Sequence, residues 1–175
     1  MKPHVFVLTF VTVLLLPLAA IAAACGGSGE ELSLEEYFRL IDNVGNDAGA
    51  AFDKRSIEPP AQDANEREIA DYAHASLARS VTILGEARDS IDEIEPPPEV
   101  EQPHDQFLEA LTTTINAVEK VADELPDTLS AAELGTLNQK LDTPEVNEAT
   151  GQLGEACKRL QAVADAKQID TKLEC

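Results

Sequence analysis

From residue 32 onward apolar side chains recur at intervals of three and four, and each such run is stopped by proline. That spacing gathers the apolar groups on one stripe of an α-helix, and the stripe has to be buried against another. Ser33 and Glu36 form the pattern of a capping box. Leu34, Tyr37, Phe38, Ile41, Val44, Ala48, Ala51 and Phe52 follow it, which predicts a first helix running to about Ile57. Pro59 and Pro60 interrupt the stripe. Ile69, Ala73, Leu77, Ser80, Leu84, Ala87, Ile91 and Ile94 resume it, so a second helix of about 35 residues is predicted from Pro60. Pro96, Pro97 and Pro98 force an extended turn. A third helix is expected from about Pro103 to Leu125, with Phe107, Leu108, Leu111, Ile115, Val118, Ala122 and Leu125 facing inward. A short helical piece from Ser130 to Leu141 opens on Ser130 and Glu133. Pro144 then stands in the first turn of a last helix that Val146, Ala149, Leu153, Cys157, Leu160 and Ala164 carry to about Ile169. No stretch alternates as a strand does. The expected fold class is all-α: an up-and-down helical bundle of about four main helices plus a short one, built from residues 32–175.

Charge narrows the choice of partners. The chain carries 13 Lys+Arg against 33 Asp+Glu, a formal charge of −20. A chain this acidic is repelled by phosphate and has no basic stripe, which argues against nucleic acid. Aromatic residues make up 4% and Trp is absent, so an aromatic cage is not expected either.

The first 24 residues read as an address. Met1-Lys2-Pro3-His4 is a short positive start, and an almost unbroken apolar run from Val5 to Ala24 follows it. Ala22-Ala23-Ala24-Cys25 resembles the lipobox of bacterial lipoproteins. The resemblance implies that residues 1–24 are a signal peptide removed before Cys25 and that the Cys25 thiol carries a diacylglycerol anchor. Two or three acyl chains on one residue hold stably where a single chain holds marginally. A plain cleaved secretory signal, or an uncleaved span of about 20 residues, are the alternatives. All three place residues 30–175 outside the cytoplasm. Gly26-Gly27-Ser28-Gly29 has the composition of a flexible tether, so residues 25–31 would link the lipidated cysteine to the domain. Cleavage removes Lys2 and no acid, leaving 12 basic residues against 33 acidic ones. Such a surface is pushed away from anionic headgroups and would meet a basic envelope partner.

Outside the cytoplasm thiols oxidise, and Cys157 and Cys175 make an even pair once Cys25 is set aside. A disulfide between them is expected. A redox or metal site is the alternative, but no CxxC is present and neither cysteine has a histidine nearby in sequence.

Catalytic and metal chemistry find little to use. Glu101 with His104, and Asp71 with His74, repeat a carboxylate-x-x-His pattern found on the helices of di-metal bundles. In an antiparallel pair His104 lies at the turn and His74 about 30 Å away from it, too far for one centre. His104 is read instead as a surface or capping residue, and His74 as an interfacial one. Ser76 lies two residues from His74, on another face of the helix, and no GxSxG, HExxH or glycine-rich phosphate loop is present. The acidic groups Asp89, Asp92, Glu93, Glu95, Glu99, Glu101 and Asp105 surround the proline turn without EF-hand spacing and read as a solvated face. No catalytic residue, cofactor or metal ligand is therefore expected.

The opening Leu32-Ser-Leu-Glu-Glu-Tyr-Phe38, the turn from Pro97-Pro-Glu-Val100 to His104-Asp-Gln-Phe107, and the ending from Ala156-Cys157 to Leu173-Glu-Cys175 resemble a group of small uncharacterised bacterial lipoproteins. These combine a lipobox, a helical domain and a C-terminal cysteine pair. The resemblance implies an envelope-anchored helical domain with a C-terminal disulfide, and it brings no activity with it. The function expected is that of a membrane-anchored, non-enzymatic interaction or structural module. A small-ligand or cation-binding lipoprotein is the alternative, with a cavity between helices or an acidic patch as its site. A wide polar-lined gap around Gly45, Ala48 and Gly49 would favour it, and a tightly packed apolar stripe the interaction module.

Overall fold

A computed structural model describes residues 31–137, 141–173 and 175. The signal segment 1–24, Cys25 and the tether up to residue 30 lie outside the described residues. Five helices occur among the described residues: α1 (Leu34–Lys54), α2 (Glu66–Asp92), α3 (Glu101–Asp123), the short α4 (Ala131–Gly135) and α5 (Pro144–Ala166). They pack as the expected all-α bundle, α1 against α2, α2 against α3 and α4, and α3 against α5. None of the described helices is long and apolar enough to cross a membrane.

Small polar side chains set where most helices begin. Ser33 accepts the Glu36 N–H, and Thr143 accepts the Val146 N–H just ahead of Pro144. Asn65 with Glu68, and Ser130 with Glu133, form reciprocal capping boxes. Each such cap is worth about 1 kcal/mol. At Ser33 the box is only half made, because Glu36 turns to Arg39 instead.

Several predicted boundaries move, each for a local reason. α2 begins at Glu66 and not at Pro60, because Asn65 supplies the complete cap while residues 61–64 close a turn through Ala64 N–H to Ala61 O. α1 stops at Lys54, short of Ile57, where the Arg55 carbonyl accepts from Arg79 Nη1 at 2.8 Å and the chain turns toward α2. α3 begins at Glu101, ahead of Pro103. α5 ends at Ala166, short of Ile169, in a paired reverse turn: Gln168 N–H bonds Asp165 O and Ile169 N–H bonds Ala164 O. Gln168 takes φ 59° there, the left-handed position usually given to glycine, and Ile169 folds back onto the core.

The buried side chains form two clusters. The far cluster joins the start of α2 (Ile69, Ala73, Leu77), the end of α3 (Ala117, Val121), Leu125, Leu129 and the start of α5 (Val146, Ala149). The near cluster joins the start of α1 (Tyr37, Phe38, Ile41), the end of α2 (Ile91), Val100 and Leu111 before and on α3, and the end of α5 (Leu160, Ala164). This pairing of starts with ends is the antiparallel up-and-down arrangement. Between the clusters Thr114, buried on α3, donates to Ala110 O at 2.9 Å and to Ala149 O on α5 at 3.2 Å. Both clusters belong to one compact unit, Leu32–Cys175, which therefore carries a complete core of its own.

Candidate functional site

The seam between α1 and α5 is where the bundle is not filled. α1 begins tightly packed, with Tyr37 and Phe38 fully buried, but from Val44 to Phe52 its stripe is only half covered. The face turned to the interior there carries Gly45, Gly49 and Ala50, side chains too short to reach across. A β-carbon added at Gly45 or Gly49 would meet nothing within 4 Å. The result is a cavity of about 590 Å³.

Its walls come from every long helix. Ile41 and Val44 of α1, Leu84, Ala87 and Ile91 of α2, and Phe107 and Leu111 of α3 form one side. Leu153, Cys157 and Leu160 of α5, with Leu173 from the C-terminal tail, form the other. Asp42, Asn46 and Asp53 stand along the α1 edge, and Asn46 Nδ2 donates to Asp42 Oδ2 at 3.1 Å. A space of this size with apolar walls and a few polar groups at its edge is what small-molecule sites look like, at roughly 300–1,000 Å³.

The tail reaches the cavity because two devices hold it against α5. Cys157 and Cys175 stand at disulfide distance, with their sulfurs 2.11 Å apart. Gln161 clamps the segment between them: its amide nitrogen Nε2 donates to Thr171 O at 3.1 Å, and its Oε1 accepts the Leu173 N–H at 2.7 Å. Cys157 of the expected pair is thus part of the cavity wall, and its bond to Cys175 holds the tail that brings Leu173 to it.

Sequence reasoning misplaced His104. It is buried at 3% exposure, with Nδ1 3.0 Å from Tyr37 Oη, and is not the surface or capping residue expected. Because α3 starts at Glu101, position 104 lies one turn after Val100 and on the same side, facing α1 rather than solvent. Burial lowers the imidazole pKa from its ordinary 6.5, against the opposing pull of the Asp105 and Asp92 charges. Burial also drives the Tyr37 phenol far upward, so it keeps its proton and can donate to a neutral Nδ1. The pair ties α1 to α3 just below the cavity. The only hint in the sequence was the helix-period spacing of Val100, His104 and Leu111.

Other expected residues stay apart from the site. His74 is half-buried on α2, and Asp71 and Glu101 are exposed. Around the proline turn Arg88 pairs with Asp89 and Asp92, and Lys167 with Glu99. Among the described residues no three His, Cys, Asp or Glu side chains converge as metal ligands. Compared with known proteins, the chain matches no family model, no curated protein and no solved structure.

Proposed function

We propose that this chain is an extracytoplasmic bacterial lipoprotein, held at the membrane through lipid on Cys25, whose helical domain binds a small apolar molecule without catalysing a reaction. The observation that carries the binding reading is the cavity of about 590 Å³ between α1 and α5. Of the two functions weighed from sequence, a tightly packed bundle would have favoured the interaction module. The open interhelical space favours the ligand-binding lipoprotein, although its walls are mainly apolar where a polar lining was expected, with polar groups only along the α1 edge. The anchor and tether would keep such a domain beside the bilayer, where apolar molecules are found.

A second reading has its own support. The formal charge of −20 suits contact with a basic envelope protein, and the acidic face around residues 89–105 is the place for it.

The binding reading is tested with residues 25–175 carrying Cys25→Ser, titrated with the neutral apolar fluorophore N-phenyl-1-naphthylamine. Saturable fluorescence enhancement is expected, and Gly49→Leu, which puts a branched side chain into the open space, should abolish it. Absence of enhancement, or equal enhancement in the filled variant, would contradict the reading. The anchor is tested separately by palmitate labelling in cells, which Cys25→Ser should eliminate.

A further inference from the structure

The cavity has a polarity that the binding reading alone does not use. Among the described residues the ionisable ones on its wall are both carboxylates, Asp42 and Asp53, and no lysine, arginine or histidine lines it. With Asn46 and Gly49 they fall on one line of α1, at spacings of four, three and four residues, so the acids mark one long edge about 16 Å from end to end. Asn46 holds Asp42 in place through one carboxylate oxygen. Asp42 is half-buried and Asp53 exposed, and neither makes an ion pair among the described residues, although Arg55 two residues on is engaged by Glu86. Opposite this edge lies the apolar wall formed by Leu84, Phe107, Leu153 and Leu173.

We infer that the cavity selects a single-chain amphiphile with a cationic head: the chain lies against the apolar wall and the head stands on the α1 edge beside one of its two carboxylates, Asp42 or Asp53. This rests on the binding reading above and deepens it. An anionic amphiphile of the same length would bring like charges together at that edge, and a neutral one would gain nothing from it. The discrimination is electrostatic and solvent-exposed, so it is moderate and weakens with salt.

The test uses the same Cys25→Ser segment, since Leu32–Cys175 carries its own core. Decyltrimethylammonium, decanol and decanoate, each below its micelle concentration, compete for the bound fluorophore at low ionic strength. The expected order is the cation tightest and the carboxylate weakest, with about a tenfold span between them. In Asp42→Asn with Asp53→Asn the cation should weaken about fivefold toward decanol while decanol itself is unchanged. Removing two acids elsewhere, by Glu119→Gln with Asp123→Asn, should leave the order intact. Equal competition by the three compounds, or the same loss from the remote pair as from the edge pair, would overturn the inference while leaving the cavity reading standing. Failure of all three to compete, with no fluorophore bound, would instead remove the binding reading itself.

Discussion

The far and near cores use the same long helices, yet only the far one is closed. At the far end α1 is absent. Lys54 ends near Arg79, so the first half of α2 is covered instead by α4 and by the segment through Leu129, whose N–H bonds Glu66 O at 2.9 Å. Leu129 then fills the end at 1% exposure within an aliphatic cluster. At the near end the closing elements are α1 and the C-terminal tail. They are held at points: the Tyr37–His104 bond, Tyr37 edge-on to Phe38, the Gln161 clamp and the cysteine pair. Point attachments fix two elements at a distance that side chains are not required to fill. The cavity thus results from how the near end is tied, with glycines where α1 would otherwise have filled it.

If that contrast is right, cutting back leucines at the two ends should have unequal effects. Leu129→Ala should destabilise by about 3 kcal/mol, the transfer term plus a new void, whereas Leu153→Ala, already beside open space, should lose only about 1 kcal/mol. Urea unfolding of both variants checks it, and equal losses would break the contrast.

Replacing both cysteines, Cys157→Ala with Cys175→Ala, should lower stability by about 3 kcal/mol for the 18-residue separation they close. It should also raise amide exchange from residue 169 to 173 without affecting Leu129. Exchange that rises evenly at both ends would mean that the tail is no separate closure.

Filling from α1 should act in the opposite direction. Gly45→Ala and Gly49→Ala should each stabilise by about 0.5–1 kcal/mol through helix propensity, since neither added methyl meets another atom within 4 Å. A loss of stability measured by thermal melting would show that the seam has no room for even a methyl group.

The last contrast appears on acidification. His104 has its pKa lowered on folding, so the unfolded chain takes up the proton first. Its contribution is full above 6.5 and is lost as pH falls from there through the lowered folded-state value. His104→Gln, which keeps a polar partner for Tyr37, should flatten that part of the pH–stability curve relative to the parent chain. Unchanged slopes would place the acid sensitivity elsewhere.

The long helices were legible because a three-and-four stripe survives any packing partner. On α5 the expected Val146, Ala149, Cys157, Leu160 and Ala164 are buried, Leu153 is half-buried at the cavity, and Ala156 joins the buried set unforeseen. The centre of a face was less legible where a helix is packed from two sides. On α3 the small residues Ala110, Thr114 and Ala117 are buried, and the larger Phe107, Leu108, Ile115 and Val118 stand at the flanks. Close approach of two neighbours selects small side chains, and a reading weighted to large apolar groups misses that. Ile83 was missed on α2 for a related reason: it is 1% exposed at the α1 seam, while the expected Leu84 looks into the cavity. Gly45 and Gly49 were legible as a place for a gap, but the gap's depth depends on Leu153, Leu173 and Phe107, which are distant in sequence. Nothing in a linear pattern could join His104 to Tyr37 across 67 positions.

The most direct measurement is a methyl-resolved NMR titration of the Cys25→Ser segment with decyltrimethylammonium. Saturable shifts are expected at Ile41, Val44, Leu84, Leu153, Leu160 and Leu173, with Val121, Leu125, Leu129 and Val146 unmoved. Shifts spread across both cores, or confined to the far one, would contradict it.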